Sequence, residues 1–260
     1  MKKIRLTLAL AGLFVSVTSH TRAQFADSVV AYTPGSGVSP GYATAANALG
    51  APTTFIGYQN SDPFNAPYSG SHLVSVGAGG SLTLQFNSPI FNNSANPFGL
   101  DFLIFGNSGF AITNGDYSGG GITDGSLYGN NFGSTRVSVS ADGINFYTLD
   151  PALAPTADGL FPADSSGNFQ LPVNPALTGA DFAGQGLSGI RALYNGSGGG
   201  TGYDLAWAQG ATLNSISFIR IDVLSGKSEI DALVTVPEPA SVSLGLFGAV
   251  AMLFARRQNK

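Results

Sequence analysis

Cysteine is absent from this 260-residue sequence, and histidine occurs only twice. Without cysteine the chain has no disulfide framework, no thiolate metal site, no cysteine nucleophile and no cysteine for lipid attachment. A catalytic triad or a histidine-based zinc site would depend on His72, the one histidine beyond the N-terminal segment. We interpret His72 as a partly exposed residue at the edge of a strand. The 213 residues from 24 to 236 are long enough to form one domain around an ordinary core.

Basic residues are also scarce away from the two ends of the chain. Seven of the eleven lysines and arginines lie within the first 22 or the last five residues. Between residues 24 and 236, four basic residues stand against fourteen acidic ones, a formal charge of −10. A nucleic-acid partner requires clustered Lys and Arg, so the sequence argues against one. The aspartate-rich composition suits divalent cations or neutral polar ligands, and it also favours solubility.

Helical periodicity is hard to find between the ends, whereas short β-rich runs are frequent. Residues 81–86 and 135–140 alternate apolar and polar side chains, which predicts half-buried strands. Residues 100–105 are apolar on both faces after their second residue, which predicts a central strand covered on both sides. In 216–223 the alternation changes parity at residues 218–219, which predicts a β-bulge or a strand shared between layers.

Turn-forming segments separate these strands. An Asp-Gly pair at residues 142–143 and the glycine-rich residues 77–80 predict tight turns. Residues 107–133 and 150–189 are predicted to be long loops, which in compact domains are usually functional or mobile. We count nine or ten strands and predict an all-β fold, a β-sandwich of jelly-roll type.

The motifs of common enzymes are missing. The sequence has no Gly-x-Ser-x-Gly elbow, and the glycine-rich residues 196–202 lack the Lys-Ser/Thr of a phosphate-binding loop. Two of the thirteen aspartates could hydrolyse a glycosidic bond at a suitable separation, but no pattern singles out a pair. We therefore predict a protein without catalytic function and keep a glycan hydrolase as the alternative.

Calcium is the candidate metal ion, because loops rich in glycine and in short oxygen-bearing side chains suit its coordination. Asp116 and Asp124 lie in such a loop, in the stretches Asn-Gly-Asp and Thr-Asp-Gly. Their spacing fits no EF-hand, and the same stretches are common turn signals. A calcium site and a plain turn therefore both remain open at this loop.

A sugar site would need an aromatic platform beside polar groups. Strand alternation through 203–208 would place Tyr203 and Trp207 on one face and Asp204 on the other. The aromatic face is either part of the core or a ligand platform, and these three residues are our candidate ligand-binding residues. The long loop offers three alternative platforms: Phe110, Tyr117 and Tyr128.

The N-terminal segment has the layout of a secretory signal peptide. Three basic residues precede the apolar residues 6–17, and Thr21-Arg22-Ala23 follows with small residues at its first and third places. This layout predicts a signal peptide over residues 1–23 that is cut between Ala23 and Gln24. An uncleaved anchor is the alternative, and twelve apolar residues are too few for it.

The last 24 residues carry a three-part pattern. Its parts are a Pro-Glu-Pro motif, an uncharged run and a basic pair: Pro237, Glu238 and Pro239; residues 240–255; Arg256 and Arg257. This order resembles a PEP-CTERM sorting signal. The resemblance implies that a membrane-embedded exosortase of a Gram-negative bacterium recognises the motif, with the arginines as the stop. The run would form a short transmembrane helix of about 24 Å against a hydrocarbon core of about 30 Å, and a permanent anchor is the alternative.

The globular part resembles a group of bacterial surface proteins whose β-sandwich is similar to galactose-binding-like domains. The segments that carry this resemblance are 80–86, 100–107, 137–146 and 229–232. It directs attention to four polar residues in or beside apolar strands: Asp101, Asn107, Asp204 and Asp231. A buried carboxylate needs a cation or hydrogen-bond donors, so such residues serve either a ligand or the fold. The candidate calcium ligands are accordingly Asp101, Asn107, Asp116, Asp124 and Asp231.

We predict an exported protein of three parts: a signal peptide over 1–23, a β-sandwich domain over 24–236 and a sorting signal over 237–260. The precursor would be held in the inner membrane and then pass to the cell surface or the extracellular matrix. There we expect it to associate with the exopolysaccharide of a biofilm matrix without catalysis. The alternatives are a secreted glycan-active hydrolase and a structural or adhesive protein that binds another protein.

Overall fold

Antiparallel β-strands form the frame of the protein in the computed structural model, which describes residues 24–129 and 133–238. Within these residues there are eleven strands: β1 (Ser28–Thr33), β2 (Val74–Gly77), β3 (Ser81–Phe91), β4 (Phe102–Gly106), β5 (Gly109–Phe110), β6 (Leu127–Tyr128), β7 (Ser134–Ser140), β8 (Tyr147–Thr148), β9 (Thr201–Tyr203), β10 (Ser215–Ser225) and β11 (Lys227–Thr235). The described helices include α1 (Gly179–Phe182) and α2 (Leu187–Tyr194). The predicted all-β class is confirmed, and the strand count exceeds nine or ten because β5, β6 and β8 have only two residues each.

The strands form two main sheets. One has five strands in the order β1-β3-β10-β7-β8, and the other has four in the order β2-β11-β4-β9. The short strands β5 and β6 pair only with each other. The chain passes between the sheets from β2 to β3, from β3 to β4, and again from β9 to β10 and from β10 to β11. This arrangement confirms the predicted β-sandwich.

The main core lies between the two sheets, because each strand turns its alternate apolar side chains inward. From the five-stranded sheet, Leu82, Leu84 and Ile219 are buried there. From the four-stranded sheet, Val74 and Leu233 meet them. Burial of a side chain of this size stabilises the fold by about 1.5–3 kcal/mol. The sandwich is therefore held by its core, as the absence of cysteine requires.

Strand β4 is covered on both faces, as predicted from its continuous apolar run. It pairs with β11 on one side and with β9 on the other. Phe102 and Ile104 belong to the main core, whereas Leu103 and Phe105 belong to a separate cluster on the outer face of the same sheet. The Phe105 ring meets the ring of Phe169 edge to face at 5.3 Å between centroids.

Two local features also agree with what the sequence predicts. The pairing of β10 with β3 shifts register between Ile216 and Phe218, which confirms the predicted bulge. The predicted turn between β7 and β8 is formed around Asp142, whose carboxylate accepts hydrogen bonds from the main-chain nitrogens of Ile144 (2.9 Å) and Asn145 (2.8 Å). The next residue, Gly143, has a φ of 74°, a conformation that favours glycine.

The two segments predicted as long loops contain regular structure and pack together. Residues 107–133 include β5 and β6, and residues 150–189 include α1 and the start of α2. Their side chains Phe110, Phe161, Val173 and Phe182 form a second core together with Phe64 and with Ile190 and Tyr194 of α2. The helices escaped prediction because α2 has only eight residues, too few to establish a period of 3.6.

The ends of the chain lie partly outside the described residues. The predicted signal peptide with Ala23, the transmembrane run over 240–255, and Pro239, Arg256 and Arg257 all fall there. Among the residues that the structure describes, no helix is long and apolar enough to span a bilayer. The boundaries of the domain at 24 and 236 stay a prediction. His72 is half-buried in the turn before β2, close to its predicted position.

Candidate functional site

A cleft of about 600 Å³ opens beside the second core, and we call it the tyrosine cleft. Its floor consists of apolar residues: Phe64, Phe110, Ile112 and Leu187. Its polar and aromatic lining includes Gln59, Asp62, Asn65, Asp116, Tyr117 and Tyr128. The cleft is thus built where the long 107–129 segment meets the segment 59–65 and the first residue of α2.

Main-chain and side-chain hydrogen bonds fix the walls of the tyrosine cleft. The nitrogen of Phe110 in β5 donates to the carbonyl of Pro63 over 2.8 Å. The hydroxyl of Tyr128 in β6 donates to the carbonyl of Phe64 over 2.6 Å. Gly109 allows this approach, because a Cβ there would lie 2.5 Å from the Tyr128 ring. The cleft therefore has a preformed shape, which lowers the ordering cost of binding.

Exposed tyrosines lie in the cleft and on a neighbouring segment. Tyr117 is 79% exposed, and Tyr128 presents part of its ring to solvent. Two more exposed tyrosines follow on the neighbouring segment, Tyr58 and Tyr68, whose ring centroids lie 6.4 Å apart. Burial raises the pKa of the Tyr128 phenol, with smaller contributions from the nearby Asp62 and Tyr58. Of the three alternative platforms, Phe110 was wrong because it is buried in the second core.

The two carboxylates of the cleft are held by local donors. Asp62 accepts from the main-chain nitrogens of Phe64 (2.8 Å) and Asn65 (3.1 Å). Asp116 accepts from both the hydroxyl (2.6 Å) and the nitrogen (2.9 Å) of Ser118. The Ser118 hydroxyl and nitrogen together lower the pKa of Asp116, so this exposed carboxyl is ionised at neutral pH. The cleft thus offers fixed, negatively charged acceptors beside aromatic faces.

Asp101, a candidate calcium ligand, serves the fold. Its buried carboxylate accepts from the Asn93 nitrogen (3.0 Å), the Asn96 side-chain amide (3.0 Å) and the Leu205 nitrogen (2.9 Å). These bonds join the turn before β4 to the short 3₁₀-helix Leu205–Trp207. Burial raises the pKa of Asp101 to about 6 in spite of the three donors.

The other candidate calcium ligands lie in separate hydrogen-bond networks. Asp231 is buried and accepts from the nitrogen (2.8 Å) and hydroxyl (2.7 Å) of Thr53, and burial raises its pKa to about 7. The Asn107 amide donates to the Glu229 carboxylate, and Asp124 accepts from Ser126 much as Asp116 accepts from Ser118. Over 24–129 and 133–238, no three or more histidine, aspartate and glutamate side chains are grouped to hold a metal ion.

The predicted ligand platform at 203–207 was wrong for Tyr203. This side chain is fully buried, stacks on Phe102 at 5.1 Å between ring centroids and donates its hydroxyl to the Pro155 carbonyl over 3.0 Å. The strand ends there, and Asp204 caps the following 3₁₀-helix by accepting from the Ala206 nitrogen at 2.7 Å. Trp207 packs partly buried against the main core. The core interpretation of this segment is the one that the structure supports.

Sequence reasoning missed the segment 58–68, which supplies four residues of the tyrosine cleft: Gln59, Asp62, Phe64 and Asn65. The stretch Tyr-Gln-Asn-Ser-Asp-Pro-Phe-Asn-Ala-Pro-Tyr combines aromatic, amide and carboxylate side chains, and ligand pockets are commonly lined by aromatic side chains with a few polar groups. It also missed Asp158, which is almost fully buried and accepts from the main-chain nitrogen of Glu229 at 3.1 Å. Burial raises the pKa of Asp158 to about 7.

Each of the four basic side chains between residues 24 and 238 is engaged by an acidic one. Arg136 and Arg220 share Asp222, at 3.2 and 2.7 Å. Arg191 binds both oxygens of the buried Asp164, at 2.7 and 3.0 Å. The remaining pair is Lys227 with Glu229 at 3.4 Å. In the part of the chain that the structure describes, every lysine and arginine therefore has an acidic partner, and the remaining acidic side chains form no ion pair with a basic one.

The C-terminal motif begins where the fold ends. Strand β11 finishes at Thr235, and the nitrogen of Val236 still donates to the Asp101 carbonyl over 2.9 Å. Val236 is only 5% exposed, whereas the side chain of Glu238 is open to solvent. On the other side, the Thr235 nitrogen donates to the carbonyl of Gln24, the residue that would follow signal cleavage.

Comparison with known proteins adds one finding at this junction. Residues 235–260, about a tenth of the chain, match the PEP-CTERM protein-sorting motif. No curated protein matches the chain significantly. The similarity of the globular part to galactose-binding-like domains stays a prediction. The chain thus carries a PEP-CTERM sorting motif at its C-terminal end, and it is an exported protein sorted by an exosortase.

Proposed function

We propose that the sorted protein is a non-catalytic component of the cell surface or extracellular matrix that binds exopolysaccharide in the tyrosine cleft. The observation that carries this proposal is the pairing of exposed tyrosine rings with fixed carboxylate and amide groups in one preformed cleft. Exopolysaccharide lies outside the cell, so a site of this kind is consistent with a protein that is exported and sorted.

The chemistry of the cleft suits sugar rings. The apolar face of a sugar ring packs on an aromatic side chain, and Tyr117 is exposed enough to accept one. Sugar hydroxyls donate to carboxylates, and Asp116 and Asp62 are already oriented by their own donors. A volume of about 600 Å³ lies within the range of pockets that hold a small ligand or part of a chain.

Turnover of the glycan is the weaker alternative. A glycoside hydrolase needs one carboxyl that stays protonated and so has a raised pKa. In the cleft, the Ser118 donors instead lower the pKa of Asp116. The carboxyls whose pKa is raised, Asp101, Asp158 and Asp231, are buried and engaged by main-chain donors outside the cleft. The carboxyls with a raised pKa thus lie outside the cleft, which supports binding without catalysis.

The sorting motif also supports a proposed route to the cell surface. We propose that the precursor is held in the inner membrane of a Gram-negative bacterium by the run 240–255, with Arg256 and Arg257 on the cytoplasmic side. Cleavage by the exosortase near Pro237-Glu238-Pro239 then releases the domain towards the outer surface.

Calorimetric titration tests the proposal. Processed protein from the source strain is titrated with that strain's exopolysaccharide, and the mixture is assayed for new reducing ends. We expect saturable heat and no new reducing ends. Reducing ends that accumulate would favour the hydrolase, and an absence of heat at high polymer concentration would overturn the binding proposal. Repeating the titration with EDTA tests whether calcium takes part.

A further inference from the structure

We infer that the tyrosine cleft selects glycans built of uncharged sugars and excludes acidic polysaccharides. This inference rests on the proposed function and names the class of polymer that the site takes. Three features of the structure carry it: the charge of the cleft, the engagement of the basic side chains, and the run of tyrosines beyond the cleft.

The charged groups that line the cleft are both negative. Asp62 and Asp116 belong to its lining, and their hydrogen-bond donors are neutral main-chain, amide and hydroxyl groups. Sugar hydroxyls can donate to these carboxylates. A uronic acid, sulfate or phosphate group would instead bring an acceptor and a second negative charge to the same place. Like charges at short range are repelled, and this repulsion weakens as salt is added.

Basic side chains relieve this charge only in part, because Arg191, which interacts electrostatically with Asp62, is also paired with Asp164. Arg191 is one helical turn from Leu187 of the cleft, which makes it the basic residue best placed to meet an acidic sugar. Both oxygens of Asp164 accept from the Nε and Nη2 edge of its guanidinium, so its charge is already paired with a carboxylate of the domain. The other three, Arg136, Arg220 and Lys227, are paired as well. An acidic polymer would therefore meet basic side chains whose charge is already offset by a carboxylate of the domain.

The tyrosines extend the site beyond a single sugar. Tyr117 and Tyr128 flank the cleft, and Tyr58 and Tyr68 follow on the adjacent segment. Stacking on neutral tyrosine rings needs no charge on the sugar, and more than one exposed ring suits a polymer. The site therefore offers aromatic rings to the apolar faces of uncharged sugars and acceptors to their hydroxyls, over more than one sugar residue.

Charge fractionation of the polymer tests the inference. The source strain's exopolysaccharide is separated on an anion exchanger into a neutral and an acidic fraction, and each is titrated with processed protein at about 20 and about 200 mM salt. We expect the neutral fraction to bind with an affinity that changes less than about twofold with salt. The acidic fraction should bind at least about tenfold more weakly at low salt.

Two variants separate the charge of the cleft from the charge of the whole domain. Asp116→Asn should strengthen binding of the acidic fraction relative to the neutral one. Asp27→Asn removes the same charge from an exposed position outside the cleft and should leave that ratio unchanged. Binding of the acidic fraction that equals or exceeds that of the neutral one would overturn the inference and leave the proposed function standing. Binding of neither fraction would overturn the proposed function itself.

Discussion

The main-chain nitrogen of Thr235 donates a hydrogen bond to the carbonyl oxygen of Gln24 over 3.0 Å. The first residue after the predicted signal cleavage therefore lies beside the last residue of the final strand. Val236 is held in turn by the Asp101 carbonyl, and the Pro-Glu-Pro motif starts at the next residue. Both predicted processing points thus lie at the same end of the sandwich, and the fold shields the chain up to the motif.

This shielding predicts that exosortase cleavage is limited by access to the motif. A protease needs its substrate in an extended conformation, whereas the backbone of Thr235 and Val236 is bound within the fold. Inserting six Gly and Ser residues between Val236 and Pro237 should speed processing several-fold in a pulse-chase experiment. The same insertion after Gly143, in an exposed turn, should leave the rate unchanged. Slower or unchanged processing of the first variant would contradict the shielding.

The buried carboxyls predict that stability falls as the pH rises from about 4 to about 7. Burial raises the pKa to about 6 for Asp101 and to about 7 for Asp158 and Asp231. In this window the folded chain binds more protons than the unfolded chain, so the free energy of unfolding decreases with increasing pH. Each of the three carboxyls should contribute about 1–3 kcal/mol to this decrease in the free energy of unfolding. Urea unfolding at pH 5 and pH 8 measures the difference.

Asp231→Asn should flatten this pH dependence. The asparagine keeps an acceptor for the Thr53 nitrogen and its amide can donate to the Thr53 hydroxyl, but it does not titrate. The exposed Asp27→Asn is the matched control and should keep the wild-type slope. A slope of opposite sign in the wild-type protein, or one that Asp231→Asn leaves unchanged, would contradict the assignment.

Asp101→Ala should destabilise the domain by about 3 kcal/mol or more, because three buried donors lose their common acceptor. Asp204→Ala removes only the cap of a 3₁₀-helix at a partly exposed site and should cost about 1 kcal/mol. Urea denaturation compares the two. A structural role also predicts that calcium leaves the wild-type midpoint unchanged, and a calcium-dependent midpoint lost in Asp101→Ala would point back to a metal site.

Local signals made the sandwich predictable. Strand β4 could be recognised from its own residues, since both faces of a short run were apolar and turn-forming residues bounded it. The bulge in β10 and the turn at Asp142 were likewise encoded within a few neighbouring positions. The segment at Tyr203 misled for the opposite reason: its alternation continued past the strand, and only the cap by Asp204 ends the strand there.

The tyrosine cleft depends on contacts between distant parts of the chain. Its walls are joined by bonds such as the one from Tyr128 to Phe64, 64 positions away. The second core that supports it draws on apolar residues without helical or strand period. The sequence indicated tyrosines in the long loop as platforms, but nothing in the local pattern shows that residues 58–68 complete the site.

Binding in the tyrosine cleft is best tested by the affinity of Tyr117→Ala for the source strain's exopolysaccharide. Ile144→Ala is the control, because Ile144 is 82% exposed on a turn outside the cleft. We predict that Tyr117→Ala weakens binding at least about tenfold, about 1.4 kcal/mol, while Ile144→Ala binds like the wild type. Equal affinities of the wild-type protein and Tyr117→Ala would contradict binding in the tyrosine cleft.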